Sequence, residues 1–142
     1  MKIPTTLRYG LRIMIEMGKN YPQAPLSLKT IADNQNLPIK YAEKIIKLLL
    51  NAGLIRSVRG KEGGYLLSFQ PEKIKVIDIF EALIGRLYLI ECVLNPQICP
   101  RAKKCEARKL WQLLVKKWRC LLTKMSLKEL IKGGKNGFAK NW

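Results

Sequence analysis

Histidine is missing from this chain, which removes the commonest general base and the commonest metal ligand. Acidic residues are scarce as well, ten against 27 Lys and Arg, giving a formal charge of +17. No apolar run is long enough to cross a bilayer, and Met1-Lys-Ile-Pro-Thr-Thr has neither the apolar stretch nor the cleavage site of a signal peptide. These absences argue against an enzyme, since no nucleophile, base and acid stand in a recognisable constellation. They also predict a soluble, cytoplasmic protein without membrane attachment. In that compartment cysteines serve as metal ligands or redox groups more often than as structural disulfides.

What is present begins with the charge. An excess of this size predicts a polyanionic partner, nucleic acid or an anionic surface. At 142 residues the chain can bury a real core. Residues 5–19 read as a helix, with Leu7, Leu11, Met14 and Ile15 on one face and Thr5 or Thr6 available as a cap. Ser27 caps a short second helix, Leu28 to Asn34, with Ile31 and Ala32 inward. Asn34-Gln-Asn-Leu-Pro38 is a turn, and Pro38 can open a third helix to Asn51 with Tyr41, Ile45, Leu48 and Leu49 inward. Helix, short helix, turn, helix is a helix-turn-helix pattern. Lys40, Lys44 and Lys47 share one side of the third helix, a stripe that usually means a solvated face.

The next segment raises the functional reading of that stripe. Leu54–Val58 and Tyr65–Ser68 are β runs around Arg59-Gly-Lys-Glu-Gly-Gly64. A hairpin after a helix-turn-helix is a wing, and Arg56, Arg59 and Lys61 cluster near its tip, where cations clamp phosphates or enter a minor groove. A phosphate loop would need a strand-to-helix turn, and both flanks here read as extended. Membrane binding would need the lysines on one amphipathic helix with an apolar underside, which this frame lacks.

The segments Tyr41-Ala-Glu-Lys-Ile-Ile and Asn51-Ala-Gly-Leu-Ile-Arg-Ser-Val-Arg-Gly-Lys-Glu-Gly-Gly-Tyr65 closely resemble the IscR/NsrR/CymR (Rrf-type) family of bacterial winged-helix regulators. Leu7-Arg-Tyr-Gly-Leu11 and three spaced cysteines fit the same family, and the resemblance runs from residue 1 to about 125. It implies a mainly α fold with a small β-hairpin wing and a long C-terminal dimerisation helix. It further implies a homodimeric transcription factor on a pseudo-palindromic double-stranded DNA operator. Lys40, Tyr41, Glu43, Lys44 and Lys47 are then expected at the major groove and Arg56, Arg59 and Lys61 at the wing. Glu43 repels phosphate yet can accept from a cytosine amino group, so it is expected to discriminate rather than bind.

The expected organisation is a winged helix-turn-helix over 1–84, a cysteine-bearing sensor loop over 85–107, a dimerisation helix region over 101–131 and a flexible basic tail over 132–142. Val76–Ile84 reads as a helix, with Ile77, Phe80, Ala82 and Leu83 as its apolar side. Arg101 to about Met125 reads as a long helix with an apolar stripe from Leu110 and Trp111 to Leu122 and Met125, which needs a partner, and Ser126 to Ile131 as a short helix after it.

Cys92, Cys99 and Cys105 lie within fourteen residues of one another, in a polar segment broken by Pro96 and Pro100. As small buried hydrophobes they would sit on an apolar face, which they do not. Gaps of six and five do not match the short pairs of structural zinc modules. Arg101, Lys103 and Lys104 beside them favour the thiolate. In cluster-bearing relatives such a triplet holds an iron–sulfur cluster that tunes DNA binding, with 2Fe-2S favoured here over 4Fe-4S. The alternative is a cluster-free regulator switched by thiol oxidation or a small metabolite. Many relatives have five residues in the first gap. IscR-like members place a histidine where Arg108 stands, and NsrR-like members a carboxylate at the position of Arg8. The fourth ligand is thus open, with Glu106 and Cys120 as candidates and Glu91, a partner carboxylate or an exogenous ligand behind them. Cys120 lies fifteen residues past Cys105, over 20 Å on a continuous helix at about 1.5 Å per residue.

Overall fold

The computed structural model describes residues 2–136, with side chains described to residue 133. Helix α1 (Thr5–Asn20) buries Leu7, Ile13, Met14 and Met17. Its start uses Pro4 as the capping residue with no side-chain cap, so neither Thr5 nor Thr6 has the role expected of it. Helix α2 (Leu28–Gln35) is capped by Ser27, whose side chain accepts from the Thr30 amide at 3.0 Å. It stops at Asn36, in the left-handed region at φ 52°, a conformation that asparagine tolerates better than most residues. Helix α3 (Ile39–Asn51) follows, with Ala42, Ile45, Ile46 and Leu49 buried. Pro38 stands just before it as the cap and not as its first turn residue.

The wing is a two-stranded antiparallel hairpin, β1 (Ile55–Val58) and β2 (Gly64–Leu67), in the register Ile55↔Leu67 and Val58↔Gly64. Gly60 adopts φ +123°, which L side chains rarely do, and so permits the turn. Gly64 serves a different purpose. A Cβ there would collide with the Leu26 carbonyl, and β2 needs that approach because Leu26 and Tyr65 exchange two backbone hydrogen bonds of 3.1 and 2.8 Å. The glycines therefore sit in a hairpin tied to the α1–α2 connector, not in a strand-to-helix phosphate loop.

Helix α4 (Val76–Ile84) packs against both α1 and α3 and also touches the long C-terminal helix. Its approach to α1 is close: a Cβ on Gly10 would stand 2.5 Å from Leu83 Cδ1. Ile79 is fully buried, and with Val76 it was not among the apolar residues read from the sequence. One turn of helix, α5 (Glu91–Leu94), and a 3-10 turn (Pro96–Ile98) make up the cysteine segment.

Helix α6 begins at Glu106 and ends at Lys124, five residues later than the start expected at Arg101. Residues 101–104 are held as turns, by Ala102 N–H to Cys99 C=O and Lys104 N–H to Arg101 C=O, both 3.0 Å, with Ala102 buried. Along α6 only Val115 is buried, while Leu110 and Leu113 are about half exposed. Helix α7 (Leu127–Asn136) turns back onto α1. Ser126 starts it as a capping box: its amide and hydroxyl donate to Glu129 Oε2 at 2.7 Å, and its own Oγ accepts from the Glu129 amide at 3.2 Å. Because α7 continues to Asn136, residues 132–136 are helical where a tail was expected, and the rest of that tail lies outside the described residues. No helix among the described residues is long and apolar enough to cross a membrane.

Candidate nucleic-acid interface and cysteine loop

Helix α3 is two-sided in the structure. Its inner side is among the most deeply buried surfaces of the chain, with Ile45 and Leu49 at 0% exposure. Its outer side carries Lys40, Lys44 and Lys47, all exposed. Burial of the apolar side fixes the helix, so the three ammonium groups project from a rigid support and not from a loop. Arg56, Arg59 and Lys61 of the hairpin are exposed as well.

Two residues expected at the groove have other partners. Tyr41 is half-buried, its ring edge-on to Tyr9 at 6.1 Å, with its hydroxyl 3.4 Å from Thr6 Oγ1. It anchors the start of α3 to α1. Glu43 is paired with Lys47 at 2.9 Å, one turn along the helix, and the hydrogen bond raises the Lys47 pKa. The stripe therefore presents Lys40 and Lys44 as unpaired cations among the described residues and Lys47 as a cation paired with Glu43. Reading by sequence missed the arginines of α1. The guanidinium groups of Arg8 and Arg12 lie 5.0 and 5.4 Å from the centre of the Tyr9 ring, and Arg12 also donates to Gln35 at 2.9 Å. Their spacing of four residues was the available signal.

The cysteine loop is built from three half-buried free thiols. Cys92 sits in α5, Cys99 ends the 3-10 turn, and Cys105 is the residue just before α6. Among the described residues, no three His, Cys, Asp or Glu side chains gather closely enough to hold a metal ion. Glu106 is engaged with Lys109 at 2.9 Å. Since α6 is continuous from Glu106, Cys120 is carried over 20 Å from Cys105, at about 1.5 Å per residue, and cannot join the thiols of its own loop. It is exposed on the helix surface. Arg108 does something the sequence did not reveal: its Nε donates to the Cys92 carbonyl at 2.8 Å, tying α6 to α5. Three soft thiolate donors suit iron–sulfur chemistry by type, and Cys92, Cys99 and Cys105 are the residues that would hold a cluster, although among the described residues they do not gather around a single ion.

Comparison with known proteins bears on both regions. Residues 3–133 match the Rrf2 family, described as "Iron-dependent Transcriptional regulator". The chain belongs to the Rrf2 family. It is 46% identical to the HTH-type transcriptional regulator CymR of Bacillus subtilis over 91 residues, 64% of this chain and 66% of that one. It is 35% identical to Protein rrf2 of Nitratidesulfovibrio vulgaris over 132 residues, 93% of this chain and 88% of that one. Among solved structures it resembles T. potens IscR, with a TM-score of 0.78, 30% identity and coverage of 99% of this chain and 94% of that one. The winged-helix, mainly α architecture is that of the family, and the protein is a DNA-binding transcriptional regulator and not an enzyme.

Proposed function

We propose that this Rrf2-family chain works as a homodimer on a pseudo-palindromic operator, reading DNA with α3 and the wing, and that the chemical state of Cys92, Cys99 and Cys105 sets its affinity. The observation that carries the DNA reading is the exposed, unpaired Lys40 and Lys44 on a helix whose other side is fully buried. Lys40 and Lys44 face the major groove, with Glu43 and Lys47 beside them. Arg56, Arg59 and Lys61 hold the adjacent backbone or minor groove. The exposed Leu110 and Leu113 of α6 supply the two-fold contact that spaces the half-sites.

A duplex selected by the protein from a random pool tests this. Lys40→Ala and Arg59→Ala should each weaken binding several-fold and lower the log–log salt slope by about 1. Retention of full affinity by both variants would remove the assignment.

Two readings of the loop have support. Three cysteines in one segment and the likeness to an IscR structure favour an iron–sulfur cluster. Cys92, Cys99 and Cys105 would hold it, and the fourth donor would come from outside the loop. Arg8 and Arg108, standing where relatives place a fourth ligand, favour the second, oxidation of the thiols themselves, which needs no fourth donor. Anaerobic purification with visible absorption and iron and sulfide analysis separates them. Colour with stoichiometric iron establishes the first, and a colourless, iron-free protein that still binds the duplex removes it and leaves a cluster-free regulator switched by thiol oxidation or a small metabolite.

A further inference from the structure

One apolar side chain of the reading helix has no packing to explain it. Of the apolar residues in α3, Ala42, Ile45, Ile46 and Leu49 are buried, and Tyr41, Leu48 and Leu50 pack against the core. Ile39 does neither: it is 50% exposed and stands outside the core cluster among the described residues. A single exposed isoleucine is ordinary on a protein surface. Its place here is not, because Ile39 is the first residue of α3, next to Lys40, at an end that no side chain caps. Each Cα–Cβ bond of a helix tilts toward the N-terminus, so the side chain of the first residue projects past the helix end. The N-terminal part of a reading helix is also the part that meets base edges.

Ile39 has defined neighbours on that surface. Residues four apart share one side of a helix, so Ile39, Glu43 and Lys47 form one row and Lys40 and Lys44 the row beside it. Ammonium groups find phosphates anywhere along a duplex, and an isoleucine gains nothing from them. What the major groove offers an apolar side chain is the 5-methyl group of thymine.

We propose that Ile39 is a specificity-determining residue, which packs on the 5-methyl group of one thymine in each half-site. The proposal rests on the reading of DNA by α3 and adds a base that Lys40, Lys44 and Glu43 do not select. Ile39 and Glu43 stand about 6 Å apart along the helix axis, at about 1.5 Å per residue. Base pairs stack about 3.4 Å apart. The thymine therefore lies within about two base pairs of the cytosine that Glu43 accepts from.

The test uses a duplex selected by the protein from a random pool, with its thymines replaced one at a time by deoxyuridine, which removes only the methyl group. Wild-type affinity should fall about fourfold at one thymine of each half-site, the worth of one buried methyl group. I39A should bind the thymine and deoxyuridine duplexes equally, while I39V, which keeps a branched apolar side chain, should retain the preference. Both variants should melt with the wild type, since a half-exposed position contributes little to stability, and this separates lost contact from lost fold. If no thymine methyl group matters to the wild type, the proposal is overturned and the reading by Lys40 and Lys44 stands. The same loss in I39A as in the wild type would also overturn it, and would assign the methyl effect to duplex shape. A protein that selects no duplex at all would overturn the DNA-binding reading and this proposal together.

Discussion

Replacing Leu127 with alanine tests whether α7 is part of the folded core or an appendage to α6. Leu127 is 0% exposed. Its amide donates to the Ile74 carbonyl at 2.8 Å, and its side chain packs where a Cβ on Gly18 would stand 3.2 Å from Leu127 Cδ2. The substitution deletes three carbons, each worth about 0.8 kcal/mol of burial, or roughly 2.4 kcal/mol. Incomplete collapse around the space left behind brings the total to about 3–5 kcal/mol. For a chain of 142 residues that corresponds to a fall in melting temperature on the order of 10 °C. Thermal unfolding followed by far-UV circular dichroism, at one fixed protein concentration because any self-association shifts the midpoint, provides the assay. Ile3→Ala, at a position 66% exposed, is the control and should change stability by no more than about 0.5 kcal/mol. An L127A protein that melts with the wild type would refute the docking of α7 on α1.

Glu129→Gln addresses the cap of the same helix. The amide and hydroxyl of Ser126 hold the Glu129 carboxyl below its ordinary value of 4.5, so its contribution is complete above that pH and is lost as pH falls through the lowered value. The stability gap between wild type and E129Q should therefore narrow as pH drops below 4.5, and a gap that widens would contradict the cap. Leu110→Glu combined with Leu113→Glu places two carboxylates on the half-exposed apolar side of α6 and should yield monomers in sedimentation velocity, with operator affinity falling at least tenfold; an intact dimer would move the two-fold contact elsewhere. Glu43→Gln removes a negative charge from the reading surface and frees Lys47. Non-specific duplex binding should strengthen and its salt slope rise by up to about 1, while discrimination between selected and random duplexes declines.

The reader was largely legible because its signals are local. Ser27 as a cap, Ile31 and Ala32 inward and two β runs around a glycine turn each involve neighbours a few residues apart, and each stands as expected. What was not legible depends on distant partners. The stripe containing Tyr41 could not show that its ring meets Tyr9, 32 residues earlier in the chain. Arg101–Lys104 have good helix propensity, but a turn closed by the Cys99 carbonyl and the burial of Ala102 delay α6 to Glu106. Gly133 and Gly134 read as the start of a tail, yet α7 runs through them, with Ile131 seated over Gly18. A short helix over Ser126–Ile131 was expected, so only its continuation to Asn136 was not. The cysteines were found by spacing alone, and spacing carries no information on whether three thiols point to one centre.

The coupling of those thiols to DNA is the central claim, and fluorescence anisotropy on a labelled selected duplex tests it most directly. Operator affinity should be measured on anaerobically prepared protein, then after mild oxidation of the same sample, with C92S/C99S/C105S carried alongside. Kd of the wild type should change at least tenfold, reversed by thiol reduction or by cluster reconstitution, and that of the triple variant should not change. Equal affinities before and after oxidation, or the same change in the triple variant, would contradict it.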